Sequence, residues 1–120
     1  MRYDAGAERL LEATVEKVGE VHILHLSGQI NELGADELSA ALDRVLDAGG
    51  VRLVFDLSDV AFINSTGLGH IMRAYRAVKD GGYVRIAGAQ TLVADVFSLT
   101  KLDKLLRLYK RPEEAVADPE

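Results

Sequence analysis

Cysteine is absent from this chain of 120 residues, and so is tryptophan. A chain without thiols forms no disulfide, no thiolate zinc site and no cysteine nucleophile. Proline is scarce as well: the chain contains 2, Pro112 and Pro119, both close to the C-terminus. No proline-rich linker or proline-interrupted helix is therefore predicted before residue 112.

Positive charge is also limited. The chain has 14 Lys and Arg against 19 Asp and Glu, a formal net charge of −5, and no segment gathers the basic residues into a stripe. A nucleic-acid-binding surface is expected to contain such a stripe, because it must neutralise phosphates. We therefore expect no nucleic acid among the partners.

Long apolar runs are missing too. No run approaches the ~18 residues of a membrane span. The first residues, MRYDAGAERLLEA, have neither the basic start nor the apolar stretch of a signal peptide. We expect a cytoplasmic protein without membrane contact. The length fits a single domain, residues 1–120, with its core at about residues 10–110.

Extended and helical patterns alternate along the chain. Apolar residues recur with period 2 on both sides of Gly19, which predicts an N-terminal β-hairpin. Seven segments follow, alternately helical and extended, at 34–50, 51–63, 66–78, 83–88, 91–102, 105–109 and 111–118. This order predicts α/β architecture with parallel crossovers. The hairpin makes the predicted sheet mixed, with one antiparallel edge strand.

The stretch FINSTGLGH, residues 62–70, places two hydroxyls and two glycines at the start of a predicted helix. It follows a buried strand, at the carboxyl end where open α/β sheets carry functional loops. Ser65 and Thr66 are positioned to cap free backbone N–H groups. Gly67 and Gly69 need a separate explanation, because glycine destabilises a helix by roughly 1 kcal/mol relative to alanine.

Two interpretations of these glycines are open. They pack a capped helix tightly against a neighbouring strand, or they leave the backbone of the first turn accessible to a phosphate or another protein. Leu68, between them, is placed either to contact a partner or to enter the core. The strict phosphate-loop pattern G-x-x-x-x-G-K-[ST] is absent, because no lysine follows Gly69.

Residues suited to catalysis or metal binding are not evident. A nucleophilic serine needs a base and glycines on both sides, whereas Ser65 follows Asn64. The histidines, His22, His25 and His70, have no carboxylate at an obvious metal-ligand spacing. We therefore expect no enzymatic activity, no metal and no cofactor.

The run DLSDVAFINSTGLG, residues 56–69, resembles the Asp-Ser-Ser/Thr-Gly-Leu-Gly turn of the anti-sigma factor antagonists of the STAS domain family. The resemblance extends to the hairpin, to LSGQINELGADEL before the first helix, and to VADVFSLTKLDKLLRLY near the C-terminus. It implies a single STAS-like domain: a mixed, mostly parallel β-sheet opened by the hairpin, with amphipathic helices packed against it.

The resemblance also implies a function. In the family, the hydroxyl that follows the Asp of the signature is phosphorylated by a serine kinase that is itself the anti-sigma factor. By position, Ser65 is the implied phosphoacceptor, with Thr66 as the second choice. The implied partner-binding residues are Asn31, Asn64, Ser65, Thr66, Gly67, Leu68 and Gly69. The unphosphorylated protein would bind the kinase and release a sigma factor, and a phosphatase would act on phosphorylated Ser65.

This chain departs from the family pattern at two positions. Asn64 stands where the family has Asp before the acceptor, and Asn31 stands where the preceding loop has Asp. Both replacements keep the shape and remove a charge, so kinase docking or the rate of phosphorylation is expected to differ. Asn31 is alternatively a turn residue, because Asn tolerates tight-turn backbone angles.

The family allows a second function. STAS domains also serve as scaffolds of stress-signalling assemblies or as accessory subunits of lipid-transport ATPases, and these roles need no phosphorylation cycle. In either role we expect a monomer, because the predicted helices and strands account for every apolar stretch.

Overall fold

The sheet begins with the predicted hairpin. In the computed structural model, which describes residues 11–119, β1 (Glu12–Val18) pairs antiparallel with β2 (Val21–Ile30). Gly19, in the turn between them, has a φ of +59°, a backbone angle that glycine adopts without steric cost. The hairpin prediction is confirmed.

Three further strands extend the sheet in sequence order. They are β3 (Arg52–Ile63), β4 (Tyr83–Ala87) and β5 (Arg107–Tyr109), and each pairs in parallel with the strand before it. β1 is therefore the antiparallel edge strand of an otherwise parallel sheet. The predicted mixed sheet is confirmed.

Between residues 11 and 119 the chain forms four α-helices: α1 (Glu32–Asp47), α2 (Ser65–Val78), α3 (Thr91–Leu99) and α4 (Pro112–Ala117). α3 ends before the predicted limit of residue 102, because Lys101 takes a left-handed φ of 63° ahead of a short 3-10 turn. Within the described part of the chain, no helix has the length and apolar character needed to cross a membrane.

The two faces of the sheet carry separate apolar clusters. The larger cluster lies against α1, α2 and α3 and includes the fully buried Leu24, Phe55, Ile86, Leu38, Ile71 and Phe97. The smaller cluster joins Val21, Ile23, Val54 and Ala87 of the sheet to Ala115 of α4. β3 is the central strand and has buried side chains in both clusters, which explains its nearly continuous apolar sequence.

Arg85 of β4 holds α4 on the second face. Its side chain is 4% exposed and donates from Nη1 to the carbonyl oxygens of Ala115 and Asp118, both at 2.8 Å. The guanidinium carbon lies 3.7 Å from the centre of the Tyr83 ring. The Tyr109 hydroxyl donates to the Asp118 carboxylate at 2.6 Å. These contacts fasten the C-terminal segment to β4 and β5.

A polar network on the same face connects β1, β2 and β3. Nδ1 of His25 lies 2.7 Å from the Asp56 carboxylate, and Nε2 lies 2.8 Å from the Glu16 carboxylate. Partial burial opposes protonation of His25, but its hydrogen bonds to Glu16 and Asp56 outweigh this effect and raise its pKa. Burial of Asp56 is likewise outweighed by hydrogen bonds from Ser58 and His25, which hold its pKa below the ordinary value. The network therefore favours an imidazolium between two carboxylates.

This network predicts that part of the folding stability depends on the proton of His25. Because the folded pKa exceeds the unfolded value of 6.5, the contribution is complete below that value and is lost as the pH rises through the folded pKa. Between about pH 6 and about pH 8, we expect the free energy of unfolding to fall more in the wild type than in His25→Gln. Glu16→Gln, which removes one of the two carboxylates, should lose part of the pH dependence of the wild type. Urea titrations measure it, and identical pH dependence in the wild type and His25→Gln would contradict the prediction.

Candidate functional site

The candidate site lies where β2 and β3 end and α1 and α2 begin. Ile30 and Ile63, the last residues of these parallel strands, are partners in the sheet register. The backbone N–H of Asn64 donates to the carbonyl oxygen of Ile30 at 2.8 Å. The two strand-to-helix junctions are therefore neighbours at one edge of the sheet.

An asparagine caps each of the two helices. The side-chain oxygen of Asn31 accepts from the N–H of Gly34 at 2.9 Å, and that of Asn64 accepts from the N–H of Gly67 at 2.8 Å. The prediction that a hydroxyl caps the second helix is wrong, because Ser65 is already the first helical residue. Asn31 is likewise a helix cap rather than a turn residue.

The two candidate phosphoacceptors are accessible. Ser65 and Thr66 are both exposed at the start of α2, and no hydrogen bond within residues 11–119 engages either hydroxyl. The first turn of α2 contains no acidic residue. The partial positive charge of the helix N-terminus is therefore not offset there, and this position favours an added negative charge.

The two glycines of the turn have different roles. A Cβ at Gly67 would collide with the Ile30 side chain and approach that of Ile63 at 3.2 Å. A Cβ at Gly69 would meet nothing within 4 Å. Close packing therefore explains Gly67, and an open backbone surface describes Gly69. Each of the two interpretations made from the sequence applies to one glycine.

The implied partner-binding residues are not all at the surface. Gly67 and Leu68 are buried, and Leu68 belongs to the larger apolar cluster. The sequence left two placements open for Leu68, and the structure places it in the core, because α2 turns this side of its first turn towards the sheet. A role of Gly67 and Leu68 in partner binding stays a prediction. The accessible part of the set is Asn31 and Asn64, which are half-buried, and Ser65, Thr66 and Gly69, which are exposed.

Sequence reasoning missed two apolar residues beside these junctions. Leu33, two residues after Asn31, is 57% exposed, and Phe62, two residues before Asn64, is 44% exposed. Leu33 falls outside the helical spacing of the buried positions of α1, which is a signal that the sequence contains. Both side chains add apolar surface to a region otherwise formed by caps and hydroxyls.

The chemistry around Ser65 is that of an accessible hydroxyl without an associated base. No hydrogen bond in the described chain connects its hydroxyl to a histidine or carboxylate. His25 is occupied by Glu16 and Asp56. Residues 11–119 contain no group of three or more histidine and acidic side chains that could hold a metal ion. The arrangement suits modification and binding at Ser65.

Alanine substitutions at Gly67 and Gly69 should change stability in opposite directions. Gly67→Ala forces Ile30 or α2 to shift, and such overpacking costs about 1–3 kcal/mol. Gly69→Ala has room for its methyl group and should stabilise the helix by about 0.5–1 kcal/mol. Urea unfolding of both variants beside the wild type measures the two effects. A Gly67→Ala variant as stable as the wild type would contradict the packing role.

The STAS domain family model matches residues 12–115. This chain belongs to the STAS domain family. A protein of Thermotoga maritima, which carries the provisional name of an anti-sigma factor antagonist, is 31% identical over 77 residues, 63% of this chain and 68% of its own length. The family identified from the residues around Ser65 is confirmed.

Solved structures of STAS proteins share the fold. The crystal structure of an anti-sigma factor antagonist from Mycobacterium paratuberculosis has a TM-score of 0.81 and 28% identity, and covers 88% of this chain and 91% of that one. Unphosphorylated SpoIIAA, an anti-sigma factor antagonist, has a TM-score of 0.75 and covers 88% of this chain and 93% of its own. At 18% identity, this second likeness shows the fold alone.

Proposed function

We propose that this protein is an anti-sigma factor antagonist controlled by phosphorylation of Ser65. The unphosphorylated protein binds a serine kinase that is also the anti-sigma factor, and a sigma factor is released. Phosphorylation of Ser65 ends the binding, and a phosphatase restores it. Exchange of partners is the function, and the protein itself catalyses no reaction.

The observation that carries this proposal is the exposed, uncommitted hydroxyl of Ser65 at the N-terminus of α2. Asn64 caps the helix, so a modification of Ser65 removes no capping hydrogen bond. The class of partner comes from the relatives, since the similar Mycobacterium paratuberculosis protein is an anti-sigma factor antagonist.

A phosphate at Ser65 would change the binding surface while leaving the fold intact. It adds about −1.5 to −2 charges. The start of α2 favours those charges, because it has no acidic residue in its first turn. At an interface, the same charges cause repulsion or desolvation, and about 3 kcal/mol corresponds to roughly a hundredfold change in affinity.

The neutral caps strengthen the contrast between the two states. Asn31 and Asn64 provide the capping oxygens that aspartates would provide, without adding negative charge beside Ser65. The unphosphorylated surface at these junctions then has less negative charge than the family pattern implies. Phosphorylation therefore changes the charge of this surface by a larger proportion than it would beside two aspartates. Such a change favours a partner that responds to the phosphate itself.

The direct test uses a serine kinase of the anti-sigma type encoded in the same genome. The protein is incubated with this kinase and ATP, and any phosphate is located by peptide mass spectrometry. We expect phosphate on Ser65 together with weakened kinase binding, and no modification of Ser65→Ala. Phosphate on Thr66 would move the acceptor by one residue. An unmodified protein, with each kinase shown to be active on another substrate, would contradict the phosphorylation cycle.

A further inference from the structure

A small cleft lies beside the C-terminal end of α2, at the opposite end of that helix from Ser65. Its volume is about 200 Å³. The polar side chains that line it are those of Tyr75, Lys79, Tyr83, Arg85 and Arg107. None of the described residues that line it is acidic. The lining of the cleft is therefore cationic, and its two tyrosines add neutral phenol groups.

This cleft concentrates positive charge in an acidic protein. The whole chain has a formal charge of −5, whereas the described lining of the cleft contains three basic residues and no acidic one. The Lys79 ammonium forms no ion pair or hydrogen bond within residues 11–119. The two hydrogen bonds that Arg85 donates from Nη1 go to backbone carbonyl oxygens, which do not neutralise its charge. Arg107 pairs with the Asp118 carboxylate at 3.2 Å, which offsets part of the charge.

The cleft is also preorganised. Arg85 is buried and is held between two carbonyl oxygens and the Tyr83 ring, so its position is fixed before any ligand arrives. β5 begins to pair with β4 at Arg85, which leaves Tyr83 and Val84 without a partner in β5. The space beside these residues forms part of the cleft. Because this wall of the cleft is fixed in advance, binding an anion there costs less conformational entropy.

We propose that this cleft binds a small multivalent oxyanion of the phosphate class. The free ammonium of Lys79 contacts the anion, and the hydroxyl of Tyr75, one helical turn earlier in the chain, supplies a further donor. α2 has 14 residues, so the cleft lies about 20 Å from Ser65 at 1.5 Å per residue. Anion binding here is therefore separate from the proposed phosphorylation.

Inorganic phosphate is the probe, added at constant pH and ionic strength while amide shifts are followed by nuclear magnetic resonance. We expect saturable shifts at residues 82–85 and 105–107. Lys79→Gln should weaken binding at least roughly fivefold, because it removes a charge-assisted contact. Lys17→Gln is the matched control: Lys17 is exposed on β1, away from the cleft, and its variant should bind as the wild type does.

Four results would overturn the proposal. Chemical shifts that do not saturate would indicate general electrostatic screening and not a binding site. A binding curve that Lys79→Gln leaves unchanged would exclude Lys79 as the central contact. Shifts confined to residues 65–69 would place the anion at the start of α2 instead. Acetate, titrated at the same ionic strength, should bind at least roughly fivefold more weakly than phosphate. Equal affinities would reassign the cleft to carboxylates and overturn the phosphate class.

Discussion

Ser65→Asp should bind the anti-sigma kinase at least roughly a hundredfold more weakly than the wild type, whereas Ser65→Ala should bind with nearly unchanged affinity. Aspartate places a permanent negative charge at an exposed position of the proposed contact surface. The start of α2 tolerates that charge, so the loss should appear in binding and not in folding. Calorimetric titration of each variant with the kinase gives the affinities.

Thr66→Asp is the matched control for this prediction. Thr66 is also exposed and lies one residue further along α2. If Ser65 is the acceptor, the charge at residue 66 should weaken binding less than the charge at residue 65. Urea unfolding should show that all three variants stay within about 0.5 kcal/mol of the wild type. Equal kinase binding by Ser65→Asp and Ser65→Ala would contradict the switch and favour a STAS scaffold without a phosphorylation cycle.

Arg85→Met should lower the free energy of unfolding by about 2–4 kcal/mol. Methionine fills much of the space but donates no hydrogen bond, so the carbonyl oxygens of Ala115 and Asp118 lose the donor they share. α4 then loses its attachment to β4, and the apolar cluster beneath it becomes accessible to water. Urea unfolding measures the change in stability, and hydrogen exchange should show faster exchange in α4.

Arg107→Met provides the comparison for Arg85. The two arginines are direct partners in the β4–β5 register, but the Arg107 side chain is 63% exposed and pairs with Asp118 near the surface. An exposed ion pair of this kind contributes about 0–1 kcal/mol. Comparing the two variants therefore separates the contribution of a buried arginine from that of an arginine in an exposed ion pair. Equal losses in both variants would contradict the role of Arg85 as the attachment of α4.

Much of the architecture follows from local sequence. The period-2 pattern around Gly19 predicts the hairpin, and the alternating segments after it predict the order of helices and strands found in the structure. These patterns suffice because the choice between helix and strand depends mainly on which side chains share one face of a short segment. The resemblance of residues 56–69 to the signature turn of the family likewise depends on a short stretch of sequence, and it predicts where β3 ends and α2 begins.

The tertiary structure decided how each residue of that junction is used. Gly67 is constrained by Ile30, a residue of a neighbouring strand, while Gly69 meets open space. Nothing in the local sequence GLG distinguishes the two. The backbone conformation at Asn64 likewise made it the cap and left Ser65 exposed.

The attachment of the C-terminal segment was also decided by tertiary contacts. Arg85 stands in a short strand whose sequence predicts only its extended form, and its carbonyl partners lie 30 and 33 residues further along the chain. The sequence by itself determined the elements, their order and the family, because these depend on local patterns. Only the folded chain decided the caps, the required glycine and the burial of Arg85, because each depends on which distant residues are brought into contact.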